Sequence, residues 1–164
     1  MKILGEKSLS SKVIIGLNIL FTTISIIDAV VLSIIAKIVT HIVMGEEIQN
    51  NISDLVFFIM LISTGIIALF IIYQFIKIFK NLKKEVLFSK DNAKSLNMVS
   101  YSCFIISALY LGMSIYIFLT IKNYIFAFST MLAIIFAVSG VGIKILNEIY
   151  KKAIECKEEN DFTI

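Results

Sequence analysis

The chain has 164 residues, of which 59% are hydrophobic and 16% are charged, and it contains no proline and no tryptophan. Its formal net charge at pH 7 is +3, and its mean hydropathy of +0.95 is far above that of an ordinary soluble domain of this length. This composition excludes a water-soluble globular fold and predicts an integral membrane protein.

Apolar segments long enough to cross a bilayer follow one another along the chain. The first covers about residues 13–36 and is longer than a signal-peptide core, which has about 7 to 15 residues. A polar loop separates it from the second segment at 55–76. The third, at 95–121, and the fourth, at 125–143, are so close in sequence that they predict a tight antiparallel hairpin.

These segments predict an all-α fold, an integral membrane four-helix bundle that forms a single domain over residues 1–164. A connector at 77–94 joins helices 2 and 3, and a tail at 144–164 follows helix 4. Both keep a helical pattern. We therefore expect cytoplasmic helical extensions of helices 2, 3 and 4, with Ser89 as the N-cap of helix 3 and Asp91 in its first turn.

Each extension has an apolar face. The connector face carries Phe75, Phe79, Leu82 and Val86. The tail face carries Leu146, Ile149, Ala153 and Cys156. Packing these two faces together would bury both, so we predict that the tail lies against the connector.

The lysines predict the orientation of the chain. All 15 basic residues are lysines, and only Lys37 and Lys122 lie outside the N-terminus, the connector and the tail. By the positive-inside rule, both termini and the connector are cytoplasmic. The exclusive use of lysine, with abundant isoleucine and asparagine, points to an AT-rich bacterial genome, and hence to a multi-pass protein of a bacterial cell membrane.

Small residues mark the expected helix contacts, because leucine gains nothing by leaving lipid for another leucine. Helix 4 carries Ser129, Ala133, Ala137 and Gly140 at the spacing of one face. Helix 3 carries Ala108 and Gly112. Helix 1 carries the stripe Asn18, Thr22, Ser25, Ala29, Ser33 and Ala36. We interpret these stripes as packing faces of the bundle.

Asp28 is the one acidic residue inside a predicted membrane helix. An ionised carboxylate near the bilayer centre costs about 2.5 to 3.5 kcal/mol on insertion scales. Asp28 is therefore either a coupling site for a proton or cation or a protonated or hydrogen-bonded residue that holds helix 1 in the bundle. Asn18 is a second intramembrane polar candidate.

No motif in the sequence supports catalysis. It lacks a glycine-rich phosphate loop, H-E-x-x-H, G-x-S-x-G and a Cys/His cluster. His41 with Glu46 and Glu47 provides no defined ligand set for a metal. We expect no enzyme, no cofactor and no metal site.

Two local patterns resemble a family of small, four-helix bacterial membrane proteins of unknown function, common in Firmicutes. LFSKDNAKSL at 87–96 is similar to that family's pattern of Phe, Ser or Thr, an acidic residue, Asn, then a basic residue and Leu. EENDFTI at 158–164 is similar to its Glu-x-Asp-Leu-Thr-Ile ending, with Phe162 in place of the more frequent Leu. Members are often encoded beside a small helix-turn-helix regulator, which the resemblance implies as a partner.

We therefore expect a regulatory or interaction protein anchored in the lipid bilayer, with no direct nucleic-acid binding of its own. Its candidate partner-binding residues are Lys83, Lys84, Phe88, Asp91, Asn92, Asp161, Phe162, Thr163 and Ile164. The alternatives are a small proton- or cation-coupled transporter that uses Asp28, and an immunity protein against a membrane-active peptide. The sequence leaves the oligomeric state open, a homo-oligomer included.

Overall fold

The computed structural model describes residues 9–43, 48–84, 88–120 and 125–161, and side chains within 11–39, 55–84, 88–120 and 126–159. These residues form α1 (Leu9–Val43), α2 (Ile48–Lys83), α3 (Lys90–Thr120) and α4 (Ile125–Asp161). Each helix is long and apolar enough to cross a membrane. The prediction of an all-helical, multi-pass membrane protein is confirmed.

The helices are longer than the apolar segments. α2 continues through the connector to Lys83, α3 begins at Lys90, and α4 continues to Asp161. A helix satisfies its own backbone hydrogen bonds, so it needs no lipid in order to continue. The same holds at the opposite end, where α1 and α2 extend into the predicted polar loop; the side chain of His41 and residues 46 and 47 lie outside the described part of the chain.

The helices pack in chain order, α1 on α2, α2 on α3 and α3 on α4. Within the described ranges α1 packs closely on neither α3 nor α4. The predicted compact bundle is therefore wrong in this respect, because the helices form an open row with a groove beside α1. The many exposed isoleucine, leucine and phenylalanine side chains of the row form the surface that lipid covers.

Hydroxyl groups hold α3 against α4. Three serines of α3 donate to backbone carbonyl oxygens of α4: Ser100 to Gly140 at 2.8 Å, Ser107 to Ala133 at 2.8 Å and Ser114 to Phe126 at 3.1 Å. The serine donors of α3 and the carbonyl acceptors of α4 each recur every seven residues. This is the repeat of side chains that stay on one seam between two supercoiled helices. Interhelical hydrogen bonds of this kind are a main source of helix association in lipid.

The small-residue prediction is confirmed for three of the four residues of α4: Ala133 is 1% exposed and Ser129 and Gly140 are buried, whereas Ala137 is half-buried. It is wrong for α3, where Ala108 and Gly112 are exposed. Serines of α3 form the seam because each donates to a carbonyl oxygen of α4, whereas alanine and glycine have no side-chain hydrogen-bond donor.

The prediction is also wrong for most of the stripe on α1. Asn18, Thr22, Ala29, Ser33 and Ala36 are exposed there, and Ser25 is half-buried. Thr22 and Ser33 donate to the carbonyl oxygens of Ile19 and Val30 in their own helix, at 2.8 and 2.7 Å. A hydroxyl satisfied in this way can face lipid without a neighbouring helix.

The predicted packing of the tail on the connector is wrong as well. Leu146 and Ile149 are each 59% exposed, whereas Asn147 and Ile154 are buried. Among the described residues the tail packs on α3 and the connector does too, with no close packing of α2 on α4. Val86 lies outside the described residues.

Candidate functional site

Three helices meet at their polar ends in a cluster that we call the junction: Asn81 of α2, Phe88, Ser89 and Asn92 at the start of α3, and Tyr150 of α4. The hydroxyl of Ser89 accepts a hydrogen bond from the backbone N–H of Asn92 at 3.2 Å. This is the contact of an N-cap with the third helical residue. The predicted cap and the position of Asp91 in the first turn are confirmed.

The side chain of Asn92 is the centre of the junction. Its Oδ1 accepts from Nδ2 of Asn81 at 2.7 Å, and its own Nδ2 donates to the hydroxyl of Tyr150 at 3.2 Å. Asn92 is 1% exposed, and the ring of Phe88 packs on Tyr150 with the ring centroids 5.8 Å apart. Asn92 is one of the predicted partner-binding residues, and the structure places its side chain in the interior, where it joins three helices.

The antiparallel pairing of α3 and α4 also brings the chain end to the connector. Nζ of Lys90 lies 2.9 Å from Oε1 of Glu158, with the two side chains 79% and 50% exposed. An ion pair this exposed adds little stability. Its significance is its position, because Lys90 belongs to the segment 87–96 and Glu158 to the segment 158–164, the two stretches that carry the resemblance.

A groove of about 440 Å³ lies between residues 90–97 of α3 and residues 151–158 of α4. Its charged lining consists of lysines from both helices and glutamates from α4: Lys90, Lys94, Lys151, Glu155 and Glu158. About two turns into α3, Oδ1 of Asn97 accepts a hydrogen bond from Nζ of Lys144 of α4 at 2.7 Å. The same Nζ lies 4.9 Å from the centroid of the Tyr101 ring, a cation–π contact. The groove therefore has charges of both signs on a surface that α3 and α4 share.

The remaining predicted partner residues fall into two groups. Phe88 of the junction is exposed, as are Lys84 and Asp91, and Lys83 is half-buried. Asp161 is the last residue of α4, with its side chain outside the described part of the chain. Phe162, Thr163 and Ile164 also lie outside the described residues.

Sequence reasoning missed the buried polar face of the α4 extension. Asn147 is 0% exposed, and neither of its amide atoms has a hydrogen-bond partner among the described residues. Tyr150 and Ile154 follow it at the spacing of one helical face. A signal was present in the sequence, because Asn147 and Tyr150 are uncharged polar residues three positions apart in a segment that is otherwise mostly apolar or charged.

Asp28 lies inside the row of helices, with its carboxylate directly over Gly65 of α2. A Cβ atom built on Gly65 would lie 2.6 Å from Cγ of Asp28, closer than real Cβ atoms approach. Oδ2 of Asp28 is buried and has no hydrogen-bond partner in the described part of the chain. Asn18, the other intramembrane candidate, is exposed, so the structure does not bring the two together.

Gly65→Ala is expected to lower the free energy of unfolding by about 1 to 2 kcal/mol, because the added methyl displaces the carboxylate of Asp28. In an Asp28→Ala background the same change is expected to be neutral or to stabilise by up to about 1 kcal/mol, the helix propensity that alanine gains over glycine. A double-mutant cycle measured by unfolding in mixed micelles gives the coupling, for which we expect about 1 to 3 kcal/mol.

The control for this cycle is Gly112→Ala, since a Cβ there meets nothing within 4 Å. That variant should gain stability whether residue 28 is Asp or Ala. Equal effects of the Gly65 and Gly112 substitutions would contradict the close approach of Asp28.

Among the described residues, no group of three or more His, Cys, Asp and Glu side chains is placed to hold a metal ion. Residues 43–164 match the model of a family described as protein of unknown function (DUF2975). No curated protein and no solved structure matches the chain. The matched residues include the whole junction and Gly65, whereas Asp28 precedes them.

Proposed function

Since this chain belongs to the DUF2975 family of proteins of unknown function, we propose its role from the geometry of the junction. It is a membrane-anchored interaction protein that holds a small helix-turn-helix regulator at its cytoplasmic face. Holding such a regulator at the membrane keeps it away from DNA, and releasing it restores its access.

The observation that carries this proposal is the convergence of the connector and the tail. Asn92 and Tyr150 are 58 residues apart in sequence and are joined by a hydrogen bond. The ion pair of Lys90 with Glu158 adds a second link near the chain end. A partner that approaches this end of the molecule meets both segments at once, on a surface that three helices hold in place.

The chemistry of this surface supports a protein partner. Phe88 is 38% exposed, and Lys84, Asp91 and Lys94, which are near it in sequence, are exposed too. An exposed aromatic side chain together with charged residues is the composition of an interface with an apolar anchor and a polar rim. Lysines are concentrated at this end of the helices, which supports its placement in the cytoplasm by the positive-inside rule.

Reversing two charges provides the first test of the proposal. The chain, tagged at its N-terminus, is expected to retain a small helix-turn-helix protein when purified from native membranes. The double variant Lys83→Glu, Lys84→Glu and a variant that lacks residues 160–164 are each expected to retain at least tenfold less, as measured by quantitative mass spectrometry. Lys12→Glu, at an exposed lysine of α1, is the matched control and should retain the parent amount.

The native cysteines provide a control for insertion. Cys156 is exposed and Cys103 is buried, so a membrane-impermeant maleimide should label Cys156 in inverted vesicles and not in intact cells. This labelling should be the same for all variants. Retention that is equal in all variants, or no helix-turn-helix protein with the parent chain, would refute the proposal.

A further inference from the structure

A second groove, of about 470 Å³, lies within the membrane part of the row. α1 and α2 form one wall with Asp28, Gly65 and Ala68, and α3 and α4 form the other with Ile106, Tyr110 and Phe136. Asp28 is the one charged residue among the described residues that line it. The size is that of sites for small organic ligands, which occupy about 300 to 1,000 Å³.

Asp28 lies close to the middle of the apolar part of α1, where a charged side chain is rare. The apolar part of α1 covers Ser11–Val39, so Asp28 is only about 4.5 Å along the axis from its middle, at 1.5 Å per residue. No lysine lines the groove to neutralise the carboxylate, and Oδ2 accepts no hydrogen bond from the described residues. A charge in such a place calls for a partner of opposite sign.

The opposite wall presents aromatic rings. Tyr110 and Phe136 are stacked, with centroids 6.1 Å apart and an interplanar angle of 7°. Aromatic faces attract cations, and most strongly where water is excluded. The remaining lining is aliphatic apart from the hydroxyl of Thr64, which donates to the carbonyl of Leu61 in its own helix at 2.9 Å.

We propose that this groove binds a hydrophobic organic cation, with Asp28 as its counter-ion and the Tyr110–Phe136 wall against its apolar body. The carboxylate excludes anions, and the aliphatic lining excludes a hydrated inorganic ion. The groove is open on the lipid side of the row, since α1 packs closely on neither α3 nor α4 within the described ranges; the cation therefore enters from the membrane. This site is separate from the junction and does not depend on the proposed regulator.

The test uses the full chain in nanodiscs of phosphatidylcholine and radiolabelled tetraphenylphosphonium as the probe. After subtraction of binding to empty nanodiscs, we expect saturable binding of one cation per chain. Asp28→Asn keeps the shape of the side chain and removes its charge, and it is expected to weaken binding at least tenfold. Ala68→Phe fills the groove from α2 and is expected to weaken it to a similar extent.

Ala108→Phe is the matched control, because Ala108 is exposed on α3 and lines neither groove; it should bind as the parent does. Size-exclusion profiles establish which variants are folded, and either groove variant alone decides the outcome. Unchanged binding in a folded Asp28→Asn or Ala68→Phe variant would overturn the proposal. The absence of saturable binding to the parent chain would also overturn it. A second copy of the chain that occupies the groove would give this result.

Discussion

Replacing Asn92 with alanine is expected to lower the free energy of unfolding by about 2 to 4 kcal/mol, because each buried polar group that loses its partner costs about 1 to 3 kcal/mol. The substitution leaves the amide of Asn81 and the hydroxyl of Tyr150 without the hydrogen bonds that they now make. Asn92 is 1% exposed, so water does not readily replace it. Unfolding by sodium dodecyl sulfate in mixed micelles, followed by far-UV circular dichroism, measures the change.

Asn97→Ala provides the comparison, since Asn97 is half-buried and its Oδ1 accepts a 2.7 Å hydrogen bond from Lys144. Its cost should be about 1.5 kcal/mol, at the low end for a hydrogen bond to a charged group, because both side chains are only half-buried and water can replace the bond. If the two asparagine variants unfold alike, Asn92 does not join the three helices.

Replacing Ala133 with leucine is expected to cost about 3 kcal/mol, at the upper end of the range for overpacking a filled interior. Ala133 is 1% exposed, and its carbonyl accepts the hydrogen bond from Ser107. A larger side chain forces α3 away from α4 and lengthens that bond. The same unfolding assay measures the loss.

Ala108→Leu is the matched substitution on α3, at an exposed position. Surface changes of this kind usually stay within about 0.5 kcal/mol. The sequence predicts that Ala108 and Ala133 both lie on helix contact faces. This pair of variants tests whether only Ala133 does. A cost for Ala108→Leu equal to that for Ala133→Leu would contradict the serine seam, by which we mean the three serine hydroxyls of α3 that are hydrogen-bonded to carbonyl oxygens of α4.

The length and apolar character of the segments were enough to predict four membrane helices, and the pattern around Ser89 was enough to predict the start of α3. Both predictions depend only on residues that are close to one another in sequence. The buried face of the tail did not follow in the same way, because contact with α3 determines it: Tyr150 is hydrogen-bonded to Asn92. In α4, Asn147 is buried while Leu146 and Ile149 are exposed, so apolar periodicity identified the outer face.

The candidate sites depend on contacts between distant residues. The resemblance drew attention to Asn92, but its role depends on Tyr150, which lies 58 residues later. Likewise, the sequence marks Asp28 as costly in lipid, while its approach to Gly65 depends on the register of α1 against α2. No local pattern encodes that register.

The serine seam limits how α3 and α4 can move. Its hydrogen bonds repeat every seven residues on both helices, from Ser100 with Gly140 to Ser114 with Phe126. A translation of one helix along the other by a single turn breaks all three of these hydrogen bonds at the same time. A one-turn shift between the two helices is therefore disfavoured. We therefore expect relative motion of the helices to be a tilt of α1, which packs closely on neither α3 nor α4 within the described ranges, and not a slide between α3 and α4.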